Sequence, residues 1–219
     1  MVTNAVPSIP KWLKSKLVHD DIDQVVRAIH QAEADTDGEI VPFIVRRSVP
    51  VSHGGSLCVL SLWLLAAPVA LIVGSQHHWL LLAALATALA WLGLWLGTTG
   101  FVIRLITPNP EIDRLVWQRA KAEFYNEGIG RTKRSTGILI FLSMDEHRAV
   151  VLADHAIGAK HPPETWQEVC DLVTGGLRNG TLKDGLCQAI ARSGAIIRPY
   201  FPKAIDTTNE LPDRLVIRE

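Results

Sequence analysis

The stretch Gly137–Asp154, GILIFLSMDEHRAVVLAD, decides how this chain folds. Gly137 to Ser143 is an unbroken apolar run of strand length, which suits a central strand covered on both faces. Met144-Asp145-Glu146-His147 turns the chain. Arg148 to Asp154 then resumes the apolar pattern, and the simplest pairing of the two runs is an antiparallel hairpin.

On the N-terminal side, Glu39 to Arg47, EIVPFIVRR, reads as another buried strand. Its Pro42 has no N–H to give to a ladder, so it predicts an edge position or a bulge. Helical segments lie around these runs. His19-Asp20-Asp21 opens a helix with carboxylates at its positive end, and Ile22, Val25, Val26 and Ile29 form its buried stripe. Asn109-Pro110 starts a second, with Ile112, Leu115, Val116, Ala120 and Phe124 apolar, ended by Gly128 and Gly130. A third opens at His161-Pro162-Pro163-Glu164, and a fourth runs from about Asp184.

Two further runs, Leu57–Val73 and Trp79–Leu96, are apolar on every face and contain no ionisable group except Cys58. Each has about the 20 residues a helix needs to cross a bilayer, and only a short turn separates them. They predict a two-pass hairpin over residues 56–104. Arg46, Arg47, Arg104 and Arg114 flank its outer ends, and the turn has only His77 and His78. By the positive-inside rule this expects an inner (cytoplasmic) membrane protein with both termini cytoplasmic. An even number of crossings lets 19–50 and 108–203 join one discontinuous domain. Residues 1–18 are expected to be a flexible arm and 204–219 a polar tail. The expected fold class is therefore α/β: a small sheet sandwiched between helices (α/β/α), interrupted by a two-helix transmembrane hairpin.

A strand–helix–strand connection favours a parallel, right-handed crossover between 39–47 and 137–143, with the third strand running back. That topology gathers scattered charges at one rim. Asp35, Asp37 and Glu39, the approach Arg131-Lys133-Arg134 and the closing Asp154 come to one edge of the sheet. The rim is the candidate ligand site, with Asp35, Asp37, Glu39, Arg131, Arg134 and Asp154 as its residues. Asp37, Glu39 and Asp154 suit a hard cation such as calcium, which takes several oxygen ligands. A solvated loop with capping carboxylates is the plainer alternative, since no EF-hand pattern is present. The balance of charge is neutral, with 22 basic and 22 acidic residues, and gives no field for nucleic acid. The three cysteines show no metal spacing, and His147, His155 and His161 match no zinc motif. Neither a Gly-x-Ser-x-Gly elbow nor a P-loop occurs.

EADTDGEIVPFIV (33–45), GRTKRSTGILIFLSMDEHRAVVLADHAI (130–157), TW (165–166), LRNGTLKDGL (177–186) and FP (201–202) together resemble the TPM domain family. That family includes thylakoid-lumen proteins of photosystem II repair described as weak acid phosphatases, an auxiliary subunit of acetylcholine receptors, and many bacterial membrane proteins. The resemblance implies an α/β/α sandwich, and an acidic edge that serves as a calcium or phosphatase site, with Asp154 at the family's aspartate. The glycine usual shortly after that aspartate is Ala156 here. Two functions are expected. One is a non-enzymatic, membrane-anchored interaction, assembly or stabilisation module for another membrane protein, with the lipid bilayer as a further partner. The other is a weak cation-dependent acid phosphatase that uses Asp154. The small residues Ala83, Ala86, Ala90, Gly93 and Gly97 suit a homo-oligomer formed through the hairpin.

Overall fold

The structure is a computed structural model and describes residues 9–50, 60, 61, 63, 64, 79–97, 108–204 and 209–219. In chain order these form α1 (His19–Glu33), β1 (Glu39–Val45), α2 (Trp79–Gly97), α3 (Asn109–Asn126), β2 (Gly137–Ser143), β3 (Arg148–Ala153), α4 (His155–Gly158), α5 (Gln167–Asn179), α6 (Leu182–Ile197) and β4 (Val216–Arg218). Short 3-10 turns occupy Ile129–Arg131 and Pro163–Trp166. The chain divides into two units, residues 1–48 with 113–219, and residues 49–112. The sheet and the candidate site belong to the first.

The sheet order is β3-β2-β1-β4. β1 and β2 are parallel, with Glu39 opposite Gly137, and β3 returns antiparallel to β2. β4 lies parallel to β1 but covers only Phe43, Ile44 and Val45. This explains Pro42. The N–H of Glu39 reaches Thr136 on the β2 side, whereas that of Arg46 reaches Arg218 on the β4 side. Backbone directions alternate along a strand, so residue 42 presents its amide edge toward β4, beyond the end of that strand. A proline there loses no ladder bond.

Ile40 and Ile44 of β1 join Ile138, Ile140 and Leu142 of β2 in the main core with α1, α5 and α6. Phe43 and Phe141 stack at 5.8 Å on the opposite face. There α3 buries Val116, Ala120 and Phe124, and Arg218 of β4 reaches its Glu123 and Glu127. α5 and α6 cross at Gly176 and Gly185; a Cβ on Gly176 would lie 2.9 Å from the Gly185 Cα.

Three expectations change. Among the described residues no helix is long and apolar enough to cross a membrane. The second apolar run is helical, as α2. The first run lies outside the described residues apart from 60, 61, 63 and 64. The transmembrane hairpin, the two-pass inner-membrane location with cytoplasmic termini, and the bilayer contact that followed from them are withdrawn. Next, the described part of the N-terminal arm is packed: Leu13 and Leu17 are fully buried in the core. Finally, the polar tail supplies a strand. Leu215 and Val216 are buried, and β4 extends the sheet.

Candidate acidic site at the sheet rim

β1 and β2 begin, and β3 ends, at one rim of the sheet. Glu33, the last residue of α1, lies four positions after Ile29 on the buried stripe of that helix. Its Oε1 accepts the Ile40 N–H at 2.6 Å. The carboxylate thus serves a backbone donor of β1 that β4 is too short to reach. Glu39 opens β1 and accepts the N–H groups of Glu210 and Leu211 at 3.1 and 3.4 Å. Asp213 comes in from the C-terminal segment with a side chain only 6% exposed, and pairs with His30 Nδ1 at 2.5 Å. Carboxylate oxygens of Glu33, Glu39 and Asp213 all lie within 4.8 Å of one another. A small cavity of about 140 Å³ beside them is lined by His30, Glu33, Ala34, Lys203, Asn209 and Asp213.

Burial pushes the Glu33 carboxyl up to about 9; the Ile40 N–H works against this, and the charges of Asp213 and Glu39 add to it. Glu33 therefore carries a proton at neutral pH and hydrogen-bonds to Asp213. Burial also raises Glu39, opposed by the N–H groups of Glu210 and Leu211. Lys203 supplies a nearby positive charge, with its Nζ 3.2 Å from the Glu33 carbonyl oxygen. Protons and a hard divalent cation are alternative ways to neutralise such a cluster.

The sequence-predicted site residues are distributed differently. Glu39 belongs to the cluster. Asp37 is buried beside it, held by Arg134 and by the Ala204 N–H at 2.9 Å. Arg134 is therefore engaged in an ion pair. Asp35 is exposed and pairs with Arg198 at 3.2 Å. Arg131 is exposed at the end of the 3-10 turn. Asp154 caps α4 by accepting the His155 N–H at 2.7 Å. It follows β3, two strands from β1, on the side of the sheet away from β4. Asp37 and Asp154 thus lie outside the three-carboxylate cluster, which Glu33 and Asp213 form with Glu39. Glu33 had a readable signal, a carboxylate at a core position of an amphipathic helix. Asp213 had none, because only the pairing of β4 carries it to the rim.

No protein-family model matches this chain, and no curated protein is similar to it in sequence. Among solved structures, the NMR structure of the BA42 protein from the psychrophilic bacterium Bizionia argentinensis is similar in fold. Its TM-score is 0.58 at 18% sequence identity, covering 92% of this chain and 94% of that one. At that identity the likeness concerns the fold alone.

Proposed function

We propose that the chain is a non-enzymatic binding module of the TPM type. It takes a hard divalent cation, calcium by preference, on Glu33, Glu39 and Asp213, and uses the same rim to dock on or stabilise another protein. The observation that carries this reading is the convergence of three largely buried carboxylates within 4.8 Å. Oxygen-only ligands of this kind suit calcium, and their burial limits competition from water. The resemblance to the TPM family at 33–45 and 130–157 points the same way. Of the groups a phosphatase would use to steer phosphate at this rim, Arg134 is engaged with Asp37.

Isothermal titration of the full chain with calcium and with magnesium tests the proposal. Binding releases the Glu33 proton, so the measured heat varies with the ionisation enthalpy of the buffer, and affinity rises with pH. Glu39→Gln weakens binding by at least about ten-fold. The same preparation leaves phosphomonoesters intact. If neither cation binds the folded chain at up to about 1 mM near pH 8, the proposal is lost.

A further inference from the structure

β3 is an edge strand, because the order β3-β2-β1-β4 leaves its outer side without a neighbour among the described residues. The Asp154 N–H reaches Gly137 on β2, so by alternation Ala149, Val151 and Ala153 turn their N–H and C=O groups outward. The Val151 N–H meets the thiol of Cys170 on α5, a weak acceptor. Between Arg148 and Asp154 the strand reads AVVLA and is half-buried throughout. It carries neither the proline nor the charge that ordinarily blunts an edge. The other side of the sheet is blunted: β4 has three residues, the Ile40 N–H beyond it belongs to Glu33, and Pro42 has none to offer. We propose that β3 pairs with β3 of a second copy of this chain, antiparallel about a twofold axis beside Val151, to make one sheet continuous across both copies.

Self-complementarity selects this occupant. Outward groups must meet outward groups, which allows Val151 opposite Val151 with Ala149 opposite Ala153. The same register sets Arg148 opposite Asp154 at both ends of the ladder. A slip of two residues sets Arg148 opposite Leu152, or Asp154 opposite Val150, and loses both charge pairs. Asp154 has one oxygen on the His155 N–H and the other without a donor among the described residues. An arginine directly across brings one. Arg148 holds Asp113 through its Nε, and a guanidinium has donors for a second carboxylate. Val150 lies opposite Phe141, on the face of the sheet that α3 covers, and Leu152 shares that face. Each meets the other across the axis as an apolar cross-strand pair. Ala149, Val151 and Ala153 pack on the main core from the other face. A twofold contact uses up both edges, so assembly stops at two copies. The three-carboxylate cluster takes no part in it.

Sedimentation velocity of the full chain between about 1 and 100 μM tests the pairing, with a dimer expected at the upper end. Val151→Pro removes only an outward N–H, so the β2–β3 ladder survives while dimerisation weakens at least about ten-fold. Arg148→Asp and Asp154→Arg each set like charges across the axis, and each lowers the dimer fraction. Mixed together, these two variants recover it, because both ends of the mixed dimer are then opposite in sign. A native chain that stays monomeric at about 100 μM overturns the proposal. So does a dimer that Val151→Pro leaves unchanged, or a mixture of the charge variants that recovers nothing. Should the variants not fold, single-residue amide exchange of the native dimer decides. Ala149, Val151 and Ala153 are expected to exchange at least about ten-fold more slowly than unprotected amides, and exchange at the unprotected rate overturns the pairing.

Discussion

Glu33 is the residue with the largest consequence. In the folded chain it keeps its proton up to about 9, whereas an exposed glutamate ionises near 4.5. Between those values the native state binds a proton that the unfolded chain has lost. The contribution of Glu33 to stability is therefore greatest below 4.5 and falls as pH rises through the window toward 9, by at most about 1.4 kcal/mol per pH unit. Urea unfolding at several pH values between about 5 and 9 should show that decline, and Glu33→Gln should flatten it. A slope that is the same in both chains would mean that the group stays ionised in the fold. The acidic pattern of residues 35–39 was legible from the start, but Glu33 and its partner at residue 213 were not. Sequence periodicity speaks for neighbours along an element, and Asp213 meets Glu33 only through the sheet.

At the scale of elements, the crossing of α5 and α6 makes an opposed pair of predictions. Gly176 faces backbone: a Cβ would lie 2.9 Å from both the Gly185 Cα and the Thr181 oxygen. Gly176→Ala should destabilise by about 1–3 kcal/mol, since neither neighbour can rotate away. Gly175, one residue earlier in the same helix, has nothing within 4 Å of the place its Cβ would take. Gly175→Ala should stabilise by about 0.5–1 kcal/mol, the helical cost of glycine. Thermal melts of the two variants check both signs, and a matching loss in both would remove the close-packing account. The order of α1, β1, α3, β2, β3, α5 and α6 was readable because each carries its own period or turn signal. β4 was not, because three residues are too few to show alternation.

For the whole molecule, the chain leaves the sheet unit after Ser48 and re-enters it at Asp113. The Ser48 N–H reaches Glu146 at 3.2 Å, and Arg148 pairs with Asp113 at 2.7 Å. Both contacts lie at the β2–β3 turn. Replacing residues 50–107 by a glycine–serine linker should therefore leave the four-stranded unit folded, with one cooperative unfolding transition by circular dichroism. Loss of that transition, with the chain still soluble, would show that the sheet unit depends on the rest.

The sequence alone determined strands within 39–47, 137–143 and 148–154 and their parallel and antiparallel senses. These follow from local pattern and from the handedness of the connection, both of which are written along the chain. Tertiary structure alone decided that the arm at Leu13 and Leu17 is core, that residues 216–218 complete the sheet, and that Glu33 and Asp213 join Glu39. Each of these depends on contacts between segments far apart in sequence, where burial and charge are properties of the assembled fold.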